Sequence, residues 1–147
     1  MKKLNFPDFQ FKIKKENNNN VIFDEIRKKW IVLTPEEWVR QNFIKYLISK
    51  NYPKSLISCE KSFYINRILK RYDIVVYDLY GKVSVLVECK SPNIKIIEEH
   101  FDQVMRYNIQ LKSDIIIVTN GLNHFYFKLD KKTNQYIQGK DLISYNK

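Results

Sequence analysis

The chain has 147 residues, enough for one domain that buries roughly two-thirds of its unfolded surface. A hydrophobic content of 44% with only 3 glycines and 4 prolines excludes a disordered or fibrous chain and places most residues in regular structure. The net charge of +10 points to a polyanionic partner, nucleic acid before anionic membrane, although AT-rich coding alone also enriches lysine, asparagine, isoleucine and tyrosine.

Phe9-Gln-Phe-Lys-Ile13 alternates apolar and polar residues and predicts a short peripheral strand. The polar run Asn17 to Asn20 reads as a loop, and Trp30-Ile-Val-Leu33 as either a strand or the lead-in to a helix. A helix start follows: Thr34 suits an N-cap, Pro35 the first helical position, and Glu37 the returning position of a capping box. Trp38, Val39, Phe43, Tyr46, Leu47 and Ile48 form one broad apolar face to about Lys50, and Tyr52-Pro53 ends the helix.

Leu56 to Glu60 reads as a strand, followed by a basic, aromatic segment that holds Phe63 and Tyr64 and ends at Lys70-Arg71. Two strands come next, Arg71 to Asp78 and Val83 to Lys90, joined by a tight turn at Leu79-Tyr-Gly81-Lys82. Ser91-Pro92-Asn93 stops the second of them. Another helix is predicted from about Lys95 to Lys112, with Ile97, Phe101, Val104, Met105, Tyr107 and Ile109 toward the core. Asp114 to Thr119 is an apolar run of the kind buried on both faces, Asn120-Gly121 is a turn, and His124 to Leu129 is a strand. Tyr136-Ile137 starts a last edge element. The expected fold is α/β, a mixed β-sheet flanked by helices, with a core over residues 30–129 and extensions at 1–29 and 130–147.

Cys59 and Cys89 are too far apart for a metal knuckle and read as small core residues. No apolar run approaches membrane-spanning length, and Met1-Lys-Lys-Leu-Asn5 leads into charged sequence, so no membrane association and a cytoplasmic protein are expected. Neither a P-loop nor a dinucleotide fingerprint occurs.

The chemistry concentrates on Asp73, Glu88 and Lys90. Acidic groups on apolar strands cost several kcal/mol unless they are paired or bound to a cation. Glu88 and Lys90 share a strand face, with Cys89 on the other. Two carboxylates on neighbouring strands, with the Cys89 carbonyl, suit a hard divalent cation such as Mg²⁺, for which Mn²⁺ can substitute. Lys90 would then hold a water or stabilise a phosphorane. The same three residues also read as a bland cluster, Glu88 paired with Lys90 and Asp73 with Arg71. Gln103 and Tyr107 stack four apart on the second helix, and Glu37 and Gln41 form a polar stripe on the first. Glu60 is a further carboxylate beside the hairpin. Lys61, Arg67, Lys70 and Arg71, interleaved with Phe63, Tyr64 and Tyr72, suit phosphate contacts and base stacking.

Asp73, then Glu88-Cys-Lys90, then Gln103-x-x-x-Tyr107 resembles the PD-(D/E)XK nuclease superfamily in its Gln-x-x-x-Tyr, RecB-like branch. Thr34-Pro-Glu-Glu-Trp-Val-Arg-Gln41, Arg71-Tyr-Asp73-Ile-Val-Val, Val87-Glu-Cys-Lys-Ser-Pro92, Gln103-Val-Met-Arg-Tyr-Asn108 and Thr119-Asn-Gly121 narrow the resemblance to the N-terminal nuclease domain of type I restriction enzyme R subunits. The resemblance implies a restriction-endonuclease-like sheet and Mg²⁺-dependent DNA cleavage. Asp73 and Glu88 would be metal ligands, Lys90 the catalytic lysine, Gln103 and Tyr107 the auxiliary motif, and Glu37 a first-helix carboxylate on the metal. Type I R subunits continue into an ATP-driven motor, and no Walker lysine loop occurs here. The implied roles are a nuclease in its own right, a partner of other restriction or defence proteins, or an inactive nucleic-acid-binding or assembly module; because one active site cuts one strand at a time, a homodimer is expected of a nuclease that cuts both.

Overall fold

Two sheets, two α-helices and a short 3-10 turn at Lys54–Leu56 make up the regular structure of residues 1–146, those described by the computed structural model. A three-stranded antiparallel meander comes first, with β1 (Ile13–Glu16), β2 (Asn19–Asp24) and β3 (Lys29–Val32). The asparagine run is a tight turn rather than a loop. Asn17 and Asn18 take left-handed φ values of 50° and 65°, as a two-residue hairpin turn requires, and Asn19 and Asn20 already belong to β2. The strand expected at Phe9–Ile13 instead begins at Ile13, because Phe11 turns to pack on Trp38, ring centroids 4.9 Å apart.

Helix α1 (Pro35–Ser49) starts as the sequence dictates, with the Glu37 amide donating to Thr34 Oγ1 at 3.1 Å. The capping box is only half made, since the Glu37 carboxylate turns away to arginines. Val39, Phe43, Ile44 and Leu47 are fully buried against one face of the large sheet, each contributing about 1.5–3 kcal/mol of apolar burial.

That sheet contains β4 (Ile57–Ile65), β5 (Ile68–Tyr77), β6 (Val83–Cys89), β7 (Ile115–Thr119), β8 (His124–Asp130) and β9 (Gln135–Gly139), in spatial order β4-β5-β6-β7-β8-β9. Every neighbouring pair is antiparallel except β6 and β7, which helix α2 (Glu98–Leu111) links by a crossover. The result is the mixed sheet flanked by helices that the sequence predicts. The basic, aromatic segment after Glu60, to which the sequence assigns no element, is the rest of β4 and the start of β5. Its turn, at Asn66 and Arg67 with φ of 49° and 65°, contains no glycine to announce it.

Helix α2 covers the opposite face with Val104 buried and Phe101, Met105 and Tyr107 half-buried. It begins at Glu98 rather than Lys95, where the Ile97 amide donates to His100 Nδ1. Ile97 and Ile109, expected in the core, are 47% and 69% exposed, because the stripe that meets the sheet is centred on Val104 and Asn108. The Asn108 carboxamide accepts from the Ser113 amide and donates to Tyr136 Oη, tying the helix end to β9.

One irregularity positions the site. In β5, Tyr72 lies in the α2-side core, yet Ile74 lies in the α1-side core, so the strict alternation of a strand slips at Asp73. In β4 the slip falls at Glu60: Ile57 and Cys59 face α1, whereas Phe63 and Ile65 face α2. Glu60 has a φ of 53°, and it and Asp73 are missing from an otherwise continuous ladder from Ile57–Val76 to Ile65–Ile68. Each strand thus holds one supernumerary residue at the same level, and both are acidic.

Candidate functional site

Asp73 sits one step beyond the Ile74–Val87 pair, at the end of β6 that carries Glu88, Cys89 and Lys90. Released from the ladder, its carboxylate takes over a backbone role: Oδ2 accepts the Cys89 amide at 2.7 Å. Its Oδ1 accepts from Arg40 Nη2 at 2.8 Å. Asp73 pairs with Arg40 of α1, and not with Arg71, which is exposed.

Glu88 lies on the α2 side of β6, paired in register with Val118, and is 6% exposed. Its Oε1 is buried without a hydrogen-bond partner among the described residues. Burial, reinforced by the nearby Asp73 charge and opposed by Lys70 and Lys90, pushes its carboxyl up to about 7. No ion pair joins Glu88 to Lys90 among the described residues, so the bland pairing is overturned. Lys90 is half-exposed just past the strand, anchored through its amide to the Thr119 carbonyl at 2.8 Å. Cys89 points to the other face and is buried in the α1-side core, with burial raising its thiol well above the ordinary range. Cys59 packs beside the same core, as expected of a small apolar residue.

Beside this pair runs an ion network that sequence reasoning did not find. Arg40, 6% exposed, donates to Glu37 Oε1 at 2.6 Å, to Glu36 at 3.2 Å and to Asp73. Arg27 donates to Glu37 Oε2 at 2.8 Å, forms an ion pair with Glu60 at 3.1 Å and binds Asp24 through Nε. Gln41 bridges Asp24 and Glu37, donating to each at 3.0 Å. Burial pushes the Asp24 carboxyl up, but the amides and guanidinium of the Arg27 segment and the Gln41 amide prevail and lower it. Both Glu37 oxygens are therefore engaged within the arginine network, so a metal at Glu37, as at Asp73, would have to compete with formed ion pairs. The polar stripe of Glu37 and Gln41 does point inward, and Arg40, set among Val39 and Phe43 on an otherwise apolar face, was the signal available in the sequence.

On the α2 side, Tyr72 is fully buried with an unpartnered hydroxyl. The Lys70 ammonium lies 5.9 Å from the centre of the Tyr72 ring and 5.3 Å from that of Tyr107. Tyr107 thus reaches the edge of the site, whereas Gln103 is exposed and makes no side-chain hydrogen bond among the described residues. Lys61, Arg67 and Arg71 are exposed along the β4–β5 hairpin. Among the described residues no three His, Cys, Asp or Glu side chains form a ready metal cluster, and no helix is long and apolar enough to cross a membrane.

No curated protein matches the chain significantly. The family model of the type I restriction enzyme R protein N terminus (HSDR_N) matches residues 35–142, from the first residue of α1 to beyond β9. That span holds Asp73, Glu88, Lys90 and Arg40, so the chain belongs to the family of type I restriction enzyme R protein N-terminal domains.

Proposed function

We propose that the protein is a metal-dependent DNA endonuclease of the PD-(D/E)XK type. The observation that carries this reading is the buried Glu88 Oε1, which lacks any hydrogen-bond donor and stands beside Asp73 at the open end of β6. An unpaired buried carboxylate oxygen costs free energy that a cation would relieve. Two carboxylates suit Mg²⁺ or Mn²⁺, which keep several positions for water and substrate phosphate.

Asp73 and Glu88 would hold the ion, with the Cys89 carbonyl as a third oxygen. Such an ion supplies charge neutralisation on the scissile phosphate and a bound water of lowered pKa. Lys90, anchored by the hydrogen bond that its backbone N–H donates to the Thr119 carbonyl, would orient the attacking water and offset the negative charge that grows on the phosphate oxygens. Tyr107 and Lys70 line the α2 side of that space, where they bind the nucleic-acid backbone, and Gln103 extends this line toward solvent. Arg40 balances Asp73 in the metal-free protein. A second copy of the chain would supply the site for the second strand, and restriction or defence proteins would direct the domain to its target.

Plasmid nicking in Mg²⁺ or Mn²⁺ tests the reading. Lys90→Ala, at a half-exposed side chain, should abolish nicking while keeping the wild-type melting behaviour, and Asp73→Ala should abolish nicking with a lowered melting temperature, because Arg40 loses a partner. Cleavage undiminished in both variants would overturn it.

One observation favours a second reading, a DNA-binding module without cleavage. Asp73 has both oxygens engaged, by Arg40 and by the Cys89 amide, so ion binding has to compete with a formed salt bridge. Salt-dependent DNA binding with no cleavage in either metal would establish that reading.

A further inference from the structure

The hairpin of β4 and β5 extends beyond the slip at Glu60 and Asp73 as a two-stranded arm. From Lys61 to Tyr72 it carries four cations and no acidic residue. One of its faces is covered, because Phe63, Ile65 and Tyr72 pack into the α2-side core. On the other face Tyr64 stands opposite Leu69, and Ser62 opposite Arg71. Tyr64 is 76% exposed and Leu69 56% exposed, so a large apolar pair lies uncovered between cations.

A face of this kind contributes nothing to the core, and its charge selects a polyanion. Its shape selects further. Single-strand sites track a backbone with successive aromatic platforms, whereas Tyr64 is the sole aromatic on this face. A two-stranded β-ribbon matches the width of the major groove of a duplex, where apolar side chains meet thymine methyls and arginines meet guanine edges. The arm also continues directly into Asp73, and Lys70 on its covered face bears on Glu88.

We propose that the β4–β5 arm lies in the major groove of a DNA duplex, with Tyr64 and Leu69 against base edges and Lys61, Arg67 and Arg71 on the flanking phosphates. The proposal rests on the nuclease reading for its purpose, which is to lay one strand across Asp73 and Glu88, but its binding can be read without cleavage.

Fluorescence anisotropy in EDTA, with a short duplex and its separate strands across a salt series, provides the test. The wild-type protein should prefer the duplex. Arg67→Gln with Arg71→Gln should weaken binding by about tenfold and lower the log–log salt slope by about 2, near 0.9 per lost phosphate contact. Tyr64→Ser with Leu69→Ser should weaken binding with the slope unchanged, and should abolish the protection of guanine N7 from dimethyl sulfate that the wild type gives. All four side chains are exposed, so both double variants should melt as the wild type does.

Preference for the single strand, unchanged affinity in both double variants, or displacement by the minor-groove ligand netropsin would each overturn the proposal. A protein that binds as described but does not nick in Mg²⁺ or Mn²⁺ overturns the nuclease reading alone. One that nicks while both double variants bind normally overturns the arm alone.

Discussion

Arg40 and Asp73 meet across the gap between α1 and β5, Nη2 to Oδ1 at 2.8 Å, and this contact joins the acidic strand pair to the first helix. The guanidinium is buried and also holds Glu37 and Glu36. Removing one partner of a buried ion network leaves uncompensated charge, which typically costs about 3–5 kcal/mol. Arg40→Met should therefore destabilise the protein by about 3 kcal/mol in urea unfolding followed by circular dichroism. The milder Arg40→Lys should recover part of that loss, since a single ammonium cannot reach Glu37 and Asp73 with a planar fork. An Arg40→Met protein as stable as wild type would show that the network is peripheral to stability.

Glu88 should make stability fall as pH rises. Its folded carboxyl titrates at about 7, above the ordinary value of 4.5, so between those two values the folded state binds more protons than the unfolded state. Stability is then fully present below pH 4.5 and declines as pH rises through 7. Glu88→Gln removes the ionisation. In EDTA the variant should gain about 1–3 kcal/mol over the wild type on going from pH 5 to pH 8, read from urea midpoints. A pH-independent difference would refute the buried-charge account.

Gly121 should not tolerate alanine. Its φ is +84°, and a Cβ there would lie 2.9 Å from Leu4 Cδ2 and 3.0 Å from Val39 Cγ2. The left-handed backbone favours glycine, and the bond from the Asn5 amide to the Gly121 carbonyl at 2.7 Å holds the N-terminal segment so close that a Cβ has no room. Gly121→Ala should cost about 1–3 kcal/mol, and thermal unfolding would show whether it does.

Glu25 supplies an acid-sensitive contact of the opposite sign to Glu88. Hydrogen bonds from Lys45 and Lys54 hold its carboxyl down to about 2. A depressed folded value contributes stability above the unfolded value of 4.5, lost as pH falls toward 2. Because the side chain is about one-third exposed, solvent screening limits the effect to less than about 1 kcal/mol. Glu25→Gln should lower stability slightly at pH 7 and not at all at pH 2, as measured by chemical denaturation.

Local chemistry was legible in the sequence wherever it was self-contained. Thr34 and Pro35 start α1, Gly81 turns the β5–β6 hairpin with a φ of 82°, and the unbroken apolar run before Thr119 became a strand buried on both faces. The acidic pair itself was readable because carboxylates stand out on apolar strands. What escaped was set by distance along the chain. Arg27 and Arg40 find their partners through contacts that link β2 and its following turn, α1, β4 and β5, and no window of sequence contains that geometry. The β4–β5 turn escaped for a different reason: Asn66 and Arg67 adopt left-handed backbone without the glycine that normally marks it. Ile109 misled because it satisfies helical periodicity on a helix whose buried stripe is narrow.

The paired slip at Glu60 and Asp73 is separable from the sheet around it. Were both residues deleted, the side chains on either side would already alternate correctly between the two cores, and the ladder from Ile57 to Ile65 would close without a gap. The sheet does not need them for its own architecture. What the pair supplies instead is negative charge at one level of the sheet, where Glu60 meets Arg27 and Asp73 meets Arg40.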